Sequence, residues 1–222
     1  MCFSATASFS GAAVTGLVGF VTLSRIRAPQ EMPLASIPLI FSVQQALEGA
    51  LWLGLQRAWP QSYVSGFAGV FVFIALAIWP WFIPLAVSLV EESDWRRRLI
   101  AALIPVGIGV GAFSALSLIE HPFHATILRN TICYTGVYPQ PLASLLVYAL
   151  CIFVPLFLAT ERSLNTLGVI VAGGAIVSAL FFYESFISVW CFFAAAASVA
   201  VFFAFEHRHA LRAQTASGAC RS

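Results

Sequence analysis

The chain has 222 residues, 60% hydrophobic and 9% charged, with 20 phenylalanines, a net charge of +2 and a mean hydropathy of +0.92. Ordinary soluble domains carry about 25% charged residues, and a water-soluble chain of this size lacks the interior to hide so much apolar surface, so a soluble fold is excluded. All eleven basic residues are arginine; without lysine a retinal or other Schiff base is excluded, and without a basic stripe among stacking aromatics nucleic acid is not an expected partner.

Apolar runs near 20 residues recur, each sufficient for about 30 Å of hydrocarbon. They predict an all-α, polytopic bundle of about seven transmembrane helices whose first partner is the lipid bilayer. The first span is expected over Ala7–Arg27, before the helix-breaking prolines of APQEMP. The second runs over Pro33–Gln56 and ends in the polar turn QRAWPQS. The third, Val64–Val90, contains IWPWFIP, whose Pro80 and Pro84 free backbone carbonyls to line a cavity or kink the helix. The fourth, Leu99–Ile119, carries Gly107, Gly109 and Gly111, which permit close helix approach. Next comes EHPFHATILRNTICYTGVYPQP, the longest non-apolar stretch, read as a loop and as a place for function. The fifth to seventh spans are expected at Leu142–Thr160, Thr166–Tyr183 and Phe186–Phe205. One domain thus covers residues 1–206, and a polar tail, 207–222, is expected to fray.

Arginine collects after the first, third, fifth and seventh spans (Arg25, Arg27, Arg96–Arg98, Arg162, Arg208, Arg212), against only Arg57 and Arg129 at the other ends. Cytoplasmic loops carry the excess of basic residues, which predicts an outside N-terminus and a cytoplasmic C-terminus. No cleavable signal peptide is expected, since a positive n-region is missing.

The segment FSVQQALEGALWLGL interrupts this pattern. At helical spacing Gln44, Glu48 and Trp52 form one stripe, with Gln45 beside it. A carboxylate near mid-bilayer costs about 3 kcal/mol on insertion scales, so the stripe is expected to face the bundle interior. Two readings remain open: polar glue between helices, or a ligand or proton site. The predicted orientation gathers further chemistry in the outer half: Glu184, Ser188, Trp190 and Cys191 at the head of the seventh span, Cys2 before the first, and Glu120, His121, His124 and Cys133 in the long loop. Trp79 is a candidate wall of the same hollow. Glu91, Glu92, Asp94, His207 and His209 are read as solvated span ends.

Five cysteines without a CxxC exclude zinc-ribbon and thioredoxin-type readings. Cys2 and Cys133 would share an oxidising compartment, where a disulfide is an option. Cys2 and Cys191, with Glu48 or His121 and His124, could instead hold a soft metal such as copper or zinc.

The segments MCFSATASF, FSVQQALEGALWL and SVWCFFAA resemble an uncharacterised family of bacterial multi-pass membrane proteins, a domain of unknown function. The resemblance extends over nearly the whole chain and implies a bacterial inner-membrane location, and no activity. Three functions follow from the residues. The first is a binding, sensing or transport protein with an outward-facing pocket built on Gln44, Gln45, Glu48, Trp52, Trp79, Glu184 and Trp190; without an inverted repeat, binding or sensing is favoured over carriage. The second is a membrane-embedded enzyme with Cys2 or Cys191 as nucleophile or metal ligand and Glu48 or Glu184 as base. The third is a structural or partner-binding subunit.

Overall fold

The structure, a computed structural model, describes residues 4–121, 123–135 and 142–219, apart from the side chains of 204 and 207–219. The described residues form seven helices: α1 (Ala5–Ser24), α2 (Met32–Gln56), α3 (Gln61–Val90), α4 (Asp94–Glu120), α5 (Leu142–Leu158), α6 (Arg162–Phe181) and α7 (Phe186–Ala219). Six helical stretches are long and apolar enough to cross a membrane; α5 is apolar but has 17 residues. The protein is therefore a multi-pass membrane protein, and the expected spans fall on these helices. Helix α7 continues to Ala219, into the polar tail.

The packing is ordered for lipid rather than water. On α1 the buried face is Ser8, Ala12, Thr15, Gly19 and Thr22, while Val14, Leu17 and Phe20 stand exposed. Small residues bring backbones together where the surroundings are as apolar as leucine. A side-chain carbon on Gly19 would sit 2.7 Å from the Leu39 amide nitrogen of α2. The Thr15 and Thr22 hydroxyls donate to carbonyls one turn back, at 2.7 Å each, so neither is left unpaired in the interior.

Helix α3 is wound irregularly at its middle. A π-turn over Ile74–Ile78 precedes Trp79-Pro80, and an extra residue in a turn offsets carbonyls from their usual donors. The Tyr148 hydroxyl of α5 donates to the Ala75 carbonyl at 2.6 Å. Pro84 cannot donate to the Pro80 carbonyl, and that carbonyl instead meets Gly107 of α4. A carbon added at Gly107 would lie 2.0 Å from it, and one at Gly111 would lie 2.4 Å from the Ala77 carbonyl. Gly107 and Gly111, four apart, thus seat α4 on the irregular part of α3, whereas Gly109 faces open space.

Two ends of the bundle are built differently. At the arginine end, Glu91 accepts from the Thr160 amide (2.8 Å), the Thr160 hydroxyl (2.5 Å) and the Ser93 amide (2.9 Å). Arg96 donates to the Leu158 carbonyl at 3.2 Å and the Thr160 hydroxyl at 3.4 Å, and Arg25 pairs with Glu206 at 2.6 Å. Glu91 is buried, which corrects its reading as a solvated end: it clasps the α3–α4 corner to the α5–α6 corner. At the other end the expected loop contains a hairpin, β1 (His124–Leu128) antiparallel to β2 (Thr131–Thr135), with His124 opposite Thr135. Its two turn residues, Arg129 (φ 47) and Asn130 (φ 61), are both left-handed, the pattern of a type I′ hairpin turn.

Two outcomes follow. Gly107→Ala forces α3 and α4 apart and lowers the thermal midpoint in detergent, by the equivalent of about 1–3 kcal/mol, while Gly109→Ala leaves it unchanged or slightly higher. Burial opposes ionisation of Glu91, but the Thr160 hydroxyl and amide, the Ser93 amide and the Arg96 charge outweigh it and hold the carboxyl below its ordinary value. A depressed folded-state pKa gives stability that is complete above the unfolded value, about 4.3, and that is lost as pH falls through the folded one. Acid thermal melts should therefore show a fall in stability below that region, and Glu91→Gln should flatten it.

Candidate functional site

Helix α2 places Gln44, Gln45 and Glu48 in the half of the bundle nearer the hairpin, and all three are 0% exposed. Trp52, one turn further on, is also buried. Gln44 is a hub: its Nε2 donates to the Cys191 sulfur of α7 at 3.3 Å, and its Oε1 accepts from the Trp79 indole of α3 at 3.2 Å. One amide therefore ties three helices together. The Phe41 ring stacks on Trp79 at 4.3 Å between centroids and fixes the indole that Gln44 receives. Glu48 Oε1 accepts from the Ser188 hydroxyl at 2.5 Å, a second link between α2 and α7.

Gln45 differs from its neighbour. It lies toward α1, where a carbon added at Gly11 would come within 3.6 Å of its Oε1 and 3.8 Å of the Phe192 ring. Both of its amide atoms, the Trp52 Nε1 and the Ser8 hydroxyl oxygen are buried without a hydrogen-bond partner among the described residues. Leaving such a group unpaired costs about 1–3 kcal/mol, and the hydrocarbon core offers no bulk water to relieve it. These groups therefore have unspent hydrogen-bonding capacity: Gln45 can both donate and accept, and the Trp52 indole can only donate.

The hairpin covers the end of this cluster. Ala125, Ile132 and Tyr134 pack in one apolar group with Leu51, Trp52, Phe71 and Cys191, and the Tyr134 ring stacks on Phe71 at 5.4 Å. The strand is pinned to the turn that opens α7 by the Thr131 and Ser185 hydroxyls, 2.6 Å apart, and by the Cys133 thiol, which donates to the Glu184 carbonyl at 2.9 Å. Burial first, and the Glu184 carboxylate second, push the Cys133 thiol up, so it is held as the neutral donor.

The structure thus brings Trp79 and Cys191 onto Gln44 and Ser188 onto Glu48, with Gln45 and Trp52 on the same helix beside them. It does not bring in the rest. The Glu184 residue is exposed in the turn Tyr183–Ser185. The Trp190 indole donates to the Val171 carbonyl of α6 at 3.2 Å and walls a different space. His121 sits at the end of α4 with its Nδ1 3.1 Å from the Ser117 carbonyl, and His124 opens β1. Among the described residues no three of His, Cys, Asp and Glu gather as a metal-ligand set, while Cys2, the remaining candidate ligand, lies outside them.

Two contributors escaped the sequence reading. Ser8 sits in an apolar-looking first span, and only its spacing with Ala12, Thr15 and Gly19 marks its face. Tyr148 reads as one aromatic among many, because the carbonyl it serves is freed by a π-turn with no local sequence signature. The coupling through Gln44 has a measurable consequence. Trp79→Phe and Cys191→Ala each leave part of the same amide unpaired, so their stability costs should be non-additive by about 0.5 kcal/mol or more in a double-mutant cycle. Strict additivity would show that the amide does not join them.

No curated protein and no solved structure matches the chain. The model of a family of unknown function, DUF6629, matches residues 1–217, nearly the full length, and the protein belongs to that family.

Proposed function

We propose that this protein binds a small, neutral, polar molecule inside the membrane, at Gln45 and Trp52, in a binding or sensing role. The observation that carries this reading is the buried Gln45 amide and Trp52 indole with no partner among the described residues. Helix glue would use its hydrogen bonds on neighbouring helices, as Gln44 does; Gln45 does not. A ligand that accepts from the indole and exchanges a donor and an acceptor with the amide satisfies all three atoms. An indole N–H has no lone pair to give a cation, so these groups favour a molecule with its own acceptors over a copper or zinc ion. Glu48, bonded to Ser188, lies between Gln45 and Trp52 along α2 and would border the ligand.

The arginine end is taken to face the cytoplasm and the hairpin end the outside of a bacterial inner membrane. Support comes from the excess of arginine at one end and from the likeness of the three motifs to bacterial membrane proteins. The ligand would then arrive from the extracytoplasmic side, past the hairpin.

The test separates glue from site by sign. Gln45→Leu removes two unpaired atoms at similar volume, so the ligand-free protein should become more stable, by about 1 kcal/mol or more. The same variant should lose any small molecule that native mass spectrometry finds retained by the gently solubilised parent. A clear fall in stability together with an unchanged retained mass would refute the site.

A further inference from the structure

A cavity lies against Trp79 and Cys191, the two partners of Gln44. It measures about 50 Å³, is lined by α2, α3, α5, α6 and α7 and is partly open, with Phe41, Trp79, Tyr148, Ile152, Val171 and Ala194 among its walls. Its lining on α5 runs from Tyr148 to Leu156 and on α7 from Trp190 to Ser198, a rise of eight residue steps in each case, or about 12 Å at 1.5 Å per step. The space is therefore long, thin and parallel to the helices, with room for about four groups of water or methylene size in file.

The nitrogen and oxygen donors on its walls are all used within the protein. The Trp79 indole donates to Gln44, the Trp190 indole to the Val171 carbonyl and the Tyr148 hydroxyl to the Ala75 carbonyl. The Ser198 hydroxyl donates to the Ala195 carbonyl at 2.6 Å, and the Cys191 sulfur accepts from Gln44. A buried water needs two to four polar partners; with no N–H or O–H donor left over and a lining that is otherwise almost wholly apolar, the cavity calls for an apolar guest. Of the described lining residues, Trp190 and Ala194 alone keep partial exposure, and they mark its mouth. Both fall within the membrane-spanning stretch Tyr183–Phe203, where the surrounding medium is hydrocarbon.

We infer that this cavity is a binding site for the end of one hydrocarbon chain of a membrane lipid, which enters sideways past Trp190 and Ala194 on α7. The slender shape selects a linear chain over a fused ring system, and the aromatic walls give it a rigid sleeve. Each methylene that enters exchanges loose lipid packing for fixed contacts with these walls. The inference is independent of the polar site, because it uses neither Gln45 nor Trp52.

The experiment reconstitutes the full chain in nanodiscs of phosphatidylcholine carrying a photoreactive diazirine at the tip of one acyl chain, and maps the cross-links by mass spectrometry. The expected result is labelling concentrated on Ile152, Leu156, Val171 and Ser198, above that of the lipid-facing Leu17, Phe20 and Leu180. Ala194→Phe, which narrows the mouth, should lower the cavity labelling about tenfold, the loss expected when roughly two methylenes give up their contacts, and leave Leu17 labelled as before. Labelling spread over the lipid-facing residues without enrichment in the parent protein would overturn the proposal, whatever the variant does. So would equal cavity labelling in a folded Ala194→Phe protein, or labelling by a free diazirine-bearing benzene but not by the chain tip.

Discussion

The structure depends on one constraint: a polar group placed in hydrocarbon has no bulk water to fall back on. Several buried polar side chains obey it with short local solutions. Thr15, Thr22, Ser178 and Ser198 return their hydroxyls to carbonyls of their own helices. Gln44 solves it across three helices, with an indole on one side and a thiol on the other. Against that background Gln45 stands out, since an amide equally buried and one residue away is left with nothing to bond among the described residues. Adjacent identical residues with opposite outcomes are the reason to separate assembly from binding within one helix turn.

The same constraint arranges the ends. Carbonyls released by the π-turn and Pro84 are met by a tyrosine hydroxyl and by glycines that let α4 approach. Glu91, at the arginine end, gathers three donors and is held ionised. The opposite end is closed by a hairpin attached to the α7 turn through one pair of hydroxyls, one thiol and a stacked ring. The clasp joins covalent neighbours of four helices, whereas the hairpin packs a few side chains against the end of the polar cluster.

Much of this was readable in the residues. The spans follow from hydropathy and length alone, because the bilayer admits few alternatives to helices. The inward face of α2 follows from the four-residue spacing of Gln44, Glu48 and Trp52 and from the cost of a carboxylate in lipid. The hairpin was equally available in HATIL-RN-TICYT, two runs rich in β-branched residues around an asparagine-containing pair, but a long polar connection between spans hid it. Glu91 was misread because a charged residue beside Arg96–Arg98 resembles any solvated helix end; its burial depends on Thr160, nearly seventy residues away. Which of Gln44 and Gln45 finds a partner was beyond reach, since it turns on the angle at which α1, α3 and α7 meet α2. The gathering of Cys191 and Trp79 on one amide, and the separation of Glu184 and the histidines from it, have the same origin.

The central claim is that the interior groups of Gln45 and Trp52 serve something other than the chain itself. An experimental density map of the protein in nanodiscs, sharp enough to show ordered small molecules, tests it directly. The account predicts non-protein density within hydrogen-bonding distance, about 3 Å, of both the Gln45 amide and the Trp52 indole nitrogen. If those atoms are instead bonded to side chains or backbone of the protein, the cluster is assembly alone and the proposed binding role fails.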